Sequence, residues 1–272
     1  MFYVNLRQIP MMITNGTSIR KTIDNLIYDG TARSGRATED SVNLFIDKLF
    51  RRTTEDHSSI IEEISSRNVD WLVHFTPANN VSGILKYGLI PRNYLEKKPL
   101  CDIIESIFTD DQRLDGMMES NCITVSFPNY KMFYLKRRQL GHHWAVILIN
   151  PEILYHCPSV FFTDNAASSI TGNHVPQGFK NMFEDVPINT PPHSLRTYLK
   201  LPNNFTTNPQ AEILLNSVIP PKYILAAYVE KWPVKIFIEM KCGNKHREKI
   251  WVSNKYFIPR HDYHYWQTDQ NS

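Results

Sequence analysis

Glycine is scarce in this sequence, with ten among 272 residues, and none stands in a GxGxxG or GxxxxGK[ST] pattern. Both patterns let the backbone approach phosphates closely, so their absence disfavours a Rossmann-type dinucleotide site and a P-loop. Long apolar runs are also missing. No window approaches the roughly 20 apolar residues of a membrane span, and no leader pattern opens the chain. We therefore expect a cytoplasmic protein with no membrane partner.

Cysteine content and net charge exclude further classes. The four cysteines are widely spaced and form no CxxC pair, so no zinc or other metal site is predicted. The formal net charge is only +3, which gives a weak field for nucleic acid, so local clusters must carry any such binding. Each basic cluster has a solvated surface as its other explanation. The clusters are Lys131, Lys136, Arg137 and Arg138, and Lys241, Lys245, His246, Arg247 and Lys249.

The pattern of apolar residues changes near residue 70. Before that point they recur at helical spacing over residues 42–50 and 60–64, which predicts two helices. From Val69 onward, short apolar runs alternate with Pro, Asn and Gly, as is typical of strands joined by loops. We predict a partly helical N-terminal extension over residues 1–69 and a main domain over residues 70–272.

The main domain is predicted to have a strand-rich α+β fold. Candidate strands are residues 71–75, 122–127, 144–149, 211–215, 224–229 and 234–240. The run at 144–149 is nearly continuous, which indicates a strand buried on both faces. A helix over residues 80–87 is predicted to begin at an asparagine cap, Asn80, and to stop at Gly88.

Polar residues at the ends of these strands are candidates for chemistry, because reactive groups need a rigid frame beside a cleft. His74 closes the first strand, residues 110–116 form a charged loop, and Glu212 opens an apolar run. Each also has an ordinary explanation: a buried histidine bonded to backbone, a solvated turn, or a charge on an edge strand. None of the three determines a function alone.

Six sequence blocks, in order, resemble the DarT-type ADP-ribosyltransferase toxins. They are Val73–Thr76 with Asn80, Gly88–Leu89, Asp111–Gly116, Ser126–Phe133, Asn165–Ser168 and Gln210–Leu214. The resemblance covers about residues 70 to 230. It implies an α+β fold with a split mixed β-sheet, NAD as co-substrate in a cleft across it, and transfer of ADP-ribose to a base of single-stranded nucleic acid. It also implies the toxin of a toxin–antitoxin or phage-defence system, with a macrodomain hydrolase or a chaperone-like protein as the antitoxin partner.

The resemblance assigns catalysis to Glu212 and Arg113. Cleavage of the nicotinamide–ribose bond develops positive charge on the ribose, which a nearby carboxylate stabilises. Arginine presents a fork of donors that pairs bidentately with a pyrophosphate. The other implied cofactor contacts are His74, Thr76, Asn80, Tyr130, Met132 and Phe133. The last three have a core position as an equally good explanation.

Residues 201–210, which lead into Glu212, are the implied reader of the acceptor. Phe205 could stack on a base and Gln210 could bond to a base edge. About seventy residues precede the His74 block where the thymidine-modifying members have none, so the acceptor stays open: guanine in DNA, then thymine in DNA, then a base in RNA. Two other classes stay open as well. One is a transferase that modifies proteins, and the other is a non-catalytic nucleic-acid-binding module, which the presence of both Glu212 and Arg113 disfavours.

Overall fold

The computed structural model describes residues 39–54, 56–97, 100–109, 117–167, 172–174, 176–243 and 245–267. These residues form seven strands and ten α-helices. The strands are β1 Leu72–Pro77, β2 Asn121–Val125, β3 Trp144–Ile149, β4 Ser159–Phe162, β5 Glu212–Leu215, β6 Ile224–Val229 and β7 Ile250–Val252. The helices are α1 Glu39–Leu49, α2 Ser58–Arg67, α3 Val81–Tyr87, α4 Arg92–Leu95, α5 Leu100–Ile103, α6 Tyr130–Gln139, α7 Ile153–His156, α8 Gln177–Asn181, α9 Leu195–Tyr198 and α10 Trp232–Cys242.

The strands form one mixed sheet in the order β4-β5-β2-β1-β3-β6-β7. Strands β6 and β7 are parallel, and the other neighbours are antiparallel. At the centre, β1 pairs with β3 along six residues but with β2 only at Leu72 and Val73. Beyond Val73 the two strands diverge and split the sheet. The predicted α+β class and the split mixed sheet are confirmed, and the gap between β1 and β2 leaves room for a site.

Strand β3 lies in the middle of the core, and all six of its residues are buried as predicted. Ala145, Ile147 and Ile149 face the main aliphatic cluster on one side of the sheet. Trp144, Val146 and Leu148 face an aromatic cluster on the other side. Burial of each large apolar side chain contributes about 1.5–3 kcal/mol, so this strand alone holds the two layers together strongly.

Both helices predicted for the N-terminal extension are present. Ile60 and Ile64 of α2 are buried in the main aliphatic cluster beneath the sheet. Val42, Ile46 and Leu49 of α1 are buried in a smaller cluster with residues of α3, α4 and α5. The described part of the extension therefore packs onto the main domain. Residues 1–38 lie outside the described residues, and a domain boundary at residue 69 stays a prediction.

The strand predicted over residues 234–240 is wrong, since these residues form the middle of α10. Pro233 occupies the first turn, where its missing N–H costs nothing. Val234 and Ile238 are buried, four residues apart on one helical face, while Ile236 and Met240 are exposed. A strand would put all four on one face. A short apolar run cannot distinguish the two structures by periodicity alone.

Asn80 occupies the N-cap position predicted for α3, but without a capping bond, and the helix stops at Gly88 as predicted. A 3₁₀ turn, Ala78–Asn80, precedes α3, and the Asn80 side chain makes no capping bond. Gly88 ends the helix with a φ of 89°, and a Cβ there would lie 2.3 Å from the Ile219 carbonyl oxygen.

Strands β4 and β7 were not predicted from the sequence. None of the described helices has both the length and the apolar character needed to cross a membrane.

Candidate active site

A cavity of about 350 Å³ opens where β1 and β2 diverge. This size falls within the range of roughly 300–1,000 Å³ that is usual for small-molecule sites. Five residues predicted for the site share its wall: His74, Thr76, Asn80, Met132 and Glu212. They come from β1, the turn after it, α6 and β5, so the fold brings together positions up to 138 residues apart, from 74 to 212. Polar groups therefore converge on one cleft.

Glu212 is the first residue of β5, and its exposed fraction is only 6%. Its Oε1 accepts a hydrogen bond from Asn129 Nδ2 at 3.3 Å, and its Oε2 accepts one from the Ala166 amide at 3.0 Å. Strand β5 lies between β4 and β2, so the alternative explanation of Glu212 as an edge-strand charge does not hold. Burial of a carboxylate costs free energy, and buried carboxylates at a cavity wall are concentrated at functional sites. Glu212 is therefore a candidate for contact with a ligand.

Asn129 is a site residue that the sequence reasoning missed. It is fully buried, and its Oδ1 caps α6 by accepting from the Met132 amide at 3.2 Å. The cap fixes which way the amide points, so Nδ2 is directed to Glu212. The only sequence signal was that Asn129, like Ala166, lies within a block that resembles the family.

His74 bridges the split in the sheet. Its Nδ1 lies 2.9 Å from the carbonyl oxygen of Cys122 on β2, where backbone pairing between β1 and β2 has stopped. The half-buried ring also lines the cavity. The two explanations of His74, as a residue bonded to backbone and as a cofactor contact, are thus compatible.

Asn80 organises the cavity wall through its amide. Its Nδ2 donates to Thr76 Oγ1 and to the Ile107 carbonyl, each at 2.9 Å, and its Oδ1 accepts from the Ile107 amide at 2.8 Å. These bonds orient the Thr76 hydroxyl and hold the segment at Ile107 against β1. The contacts of Asn80 favour a positioning role over direct contact with a ligand.

The remaining predicted cofactor contacts are placed differently. Tyr130 and Phe133 are buried in the aromatic cluster, and Phe133 stacks on Phe75 with ring centroids 4.7 Å apart. Burial raises the pKa of the Tyr130 phenol, which therefore stays neutral. This packing favours the core explanation for both rings, whereas Met132 from the same helix lines the cavity. Arg113 lies outside the described residues.

We call residues 201–210 the acceptor loop, and two arginines hold its backbone. Arg196 donates to the carbonyls of Phe205 at 2.8 Å and Pro202 at 3.0 Å. Arg260 donates to the Thr206 carbonyl at 3.1 Å. Because guanidinium groups bond several carbonyls at once, the loop has a defined conformation next to Glu212.

The two predicted acceptor contacts lie on this loop. Gln210 Nε2 donates to Asp164 Oδ1 at 3.2 Å, which aligns the side chain two residues before Glu212. Phe205 is partly buried, with its ring 5.8 Å from that of Phe127 and the Arg260 guanidinium 5.2 Å from its centre. The protein interior thus covers part of the Phe205 surface, and its role as a stacking residue stays a prediction.

The basic cluster at residues 131–138 divides between two environments. Lys136 lines the cavity, and its Nζ donates to the Thr109 carbonyl at 2.9 Å. Arg137 instead bonds the Phe257 carbonyl and pairs with Glu230 at 2.8 Å. In the later cluster, Lys241 pairs with Glu105 and Lys249 bonds the Ile224 carbonyl. Of these four cations, Lys136 is the one placed to meet a ligand in the cavity.

A family model described as "ssDNA thymidine ADP-ribosyltransferase, DarT" matches residues 73–258. Among solved structures, Thermosipho africanus DarTG in complex with ADP-ribose aligns at 15% identity and a TM-score of 0.46, covering 70% of this chain and 52% of that chain. This chain thus spans about half the length of that protein. Thermus sp. 2.9 DarT in complex with NAD+ aligns at 14% identity and a TM-score of 0.45, covering 69% and 97%. The same protein in complex with ADP-ribosylated ssDNA aligns at 13% identity and a TM-score of 0.46, covering 70% and 96%.

A comparison with curated protein sequences found no significant match. The family model, however, spans well over half of the 272 residues and includes Glu212, its partner Asn129 and the strands that form the cavity. The chain therefore belongs to the DarT family of ssDNA thymidine ADP-ribosyltransferases.

Proposed function

We propose that this chain transfers ADP-ribose from NAD to thymidine in single-stranded DNA, with Glu212 as the catalytic carboxylate. The observation that carries the proposal is the carboxylate itself, which is buried, held through both oxygens and directed at the cavity between β1 and β2. The description of the family favours thymidine over guanine, which the sequence alone had placed first.

The reaction can use the Glu212 carboxylate twice, first to stabilise positive charge on the ribose and then to accept a proton from thymine. When the nicotinamide–ribose bond breaks, the electron pair leaves with nicotinamide and positive charge develops at the ribose carbon, which Glu212 stabilises. Thymine carries one ring N–H in DNA, and its proton must leave as the new nitrogen–carbon bond forms. Asn129 and Ala166 hold the Glu212 carboxylate through its two oxygens at the wall of the cavity. We assign to this carboxylate both the bond to the ribose and the acceptance of the proton.

The cavity wall offers groups for the rest of NAD. His74 and Thr76 supply ring nitrogen and hydroxyl groups at the end of β1, and Met132 supplies an apolar contact. Lys136 supplies a positive charge suited to the pyrophosphate. We assign the bidentate pyrophosphate contact to Arg113 on the basis of its sequence block.

Arg113→Ala is expected to weaken NAD binding and to slow transfer together, because a pyrophosphate contact is made in both the ground state and the transition state. Arg113→Lys should restore only part of either, since an ammonium group cannot form the bidentate pair. Calorimetry with NAD measures the affinity. Lys245→Ala, in the later basic cluster, is the control and should bind NAD normally. An unchanged dissociation constant for Arg113→Ala would remove Arg113 from the cofactor site.

Labelled NAD tests the proposed function directly. The protein is incubated with separate pools of single-stranded DNA, duplex DNA, RNA and protein, and label is expected in single-stranded DNA. Oligonucleotides that each lack one base then identify the acceptor, and label should disappear only when thymidine is absent. Label in protein would favour the protein-modifying alternative, and no label in any pool would favour the non-catalytic module. The toxin role and the antitoxin partner stay predictions, which toxicity on expression would support.

A further inference from the structure

Partly exposed aromatic rings lie on α6, on α9 and on residues 261–265, which contact the acceptor loop through His261. Tyr198 on α9 is 49% exposed, and its ring lies 6.4 Å from that of Tyr265. Tyr134 on α6 is 43% exposed and lies 6.3 Å from Tyr263. The exposed His261 stacks on Phe205 of the loop, with centroids 6.5 Å apart. We call Tyr134, Tyr198, His261, His264 and Tyr265 the aromatic surface.

A buried ion pair anchors residues 260–265, the anchored segment, which carries three of the five side chains of this surface. Arg260 and Asp262 form a bidentate ion pair, and their side chains are only 2% and 0% exposed. Burial alone would raise the pKa of Asp262, but the bonds from Arg260 lower it, so the pair stays charged. Arg260 also bonds the Thr206 carbonyl, and His261 lies 2.9 Å from the Leu199 carbonyl. The aromatic surface and the acceptor loop are thus held in one arrangement.

The aromatic surface borders the candidate active site. Tyr130 follows Asn129, the partner of Glu212, and its ring is 5.4 Å from Tyr263 in the anchored segment. The acceptor loop begins at Leu201, three residues after Tyr198, and ends at Gln210, two residues before Glu212. A strand whose base reaches Glu212 would therefore continue over these rings.

Positive charge accompanies the rings. The Arg138 guanidinium lies 5.7 Å from the centre of the Tyr134 ring, and the exposed Lys200 is two residues after Tyr198 in the chain. Asp262, the carboxylate within the anchored segment, is buried and neutralised by Arg260. Unpaired nucleic acid is bound by aromatic rings that stack on its bases and by nearby cations that contact its phosphates. In a duplex, the faces of the bases are covered by the neighbouring base pairs.

We propose that the aromatic surface binds nucleotides beyond the immediate neighbours of the acceptor in single-stranded DNA, by stacking on their bases. The proposal rests on the proposed function. The family match ends at residue 258, so the anchored segment adds contacts that the family model does not cover. Base stacking tolerates any sequence, so the surface should increase affinity for longer strands more than it selects their bases.

The test compares oligonucleotides of three and twelve nucleotides, each with one thymidine. Tyr198→Ala and Tyr265→Ala should each raise the KM for the longer strand at least about fivefold, because each stacked base is lost from the complex. The KM for the short strand and the affinity for NAD should stay as in wild type. Tyr198→Phe and Tyr265→Phe keep the rings and should behave as wild type, which a general folding defect would not predict.

Trp232→Ala is the matched control, since it removes an exposed ring on α10, outside the aromatic surface. A wild-type KM for the longer strand in both tyrosine-to-alanine variants would overturn the proposal, as would an equal rise in Trp232→Ala. Normal kinetics on DNA combined with lost binding of a neutralising protein would make the surface a protein-docking site and would also overturn it. Failure of the proposed function looks different, because wild type would then label neither strand.

Discussion

Glu212→Gln should lower the rate of ADP-ribose transfer by about a hundredfold or more while NAD affinity stays close to that of wild type. Loss of one preorganised electrostatic group typically costs about 10²–10³ in rate. Glutamine keeps the size of the side chain but has no charge and offers one acceptor oxygen. Asn129 and Ala166 both donate to this side chain, so the glutamine amide would also face a donor. Single-turnover transfer to a thymidine oligonucleotide, with calorimetry for NAD, measures both quantities.

The matched control for this experiment is Glu152→Gln, which changes an exposed carboxylate that contacts Asn150 and His156 nearby in the chain. It should keep the wild-type rate. Thermal denaturation of both variants separates a lost reaction from a lost fold. A Glu212→Gln enzyme that turns over at the wild-type rate would show that another group stabilises the transition state.

Arg260→Ala should lower the free energy of unfolding at neutral pH by about 3–5 kcal/mol, the range for removing one partner of a buried ion pair. The substitution leaves the Asp262 carboxylate inside the protein without its partner, and it removes the donor to the Thr206 carbonyl. Urea denaturation followed by circular dichroism measures the loss. Lys241→Ala breaks a pair with the exposed Glu105 and should cost less than about 1 kcal/mol.

The pH dependence of this loss follows from Asp262. Its pKa is lowered in the folded protein, so its contribution to stability is present above the unfolded value of about 3.9 and is lost as pH falls through the folded value. In Arg260→Ala, burial without the partner should raise the pKa of Asp262 above its ordinary value. The difference in stability between wild type and this variant should therefore shrink as pH falls through that raised pKa and on to the lowered pKa of wild type. The double variant Arg260→Met/Asp262→Leu should recover most of the stability at neutral pH. A loss below about 1 kcal/mol in Arg260→Ala would show that the pair is not structurally important.

The sequence alone was sufficient for features that depend on neighbouring residues. The runs at Trp144–Ile149 and Ile224–Val229 predict their strands to the residue, because their apolar character continues from end to end. Gly88 marks the end of α3, since few other residues adopt a positive φ there. The six blocks also predicted that Glu212 and residues of β1 share one site, and in the structure Glu212, His74 and Thr76 line the same cavity.

The tertiary structure decided whatever depends on contacts between distant residues. The run Val234–Met240 fits a strand or a helix locally, and only burial of Val234 and Ile238 on one face determines which of them forms. Asn129 meets Glu212 across 83 residues, and Arg260 meets Thr206 across 54. These pairs have no signature in composition or periodicity, because they arise where separate segments cross in space. The sequence therefore determined which chemistry this protein carries, and the tertiary structure decided how the Glu212 carboxylate and the acceptor loop are held in place.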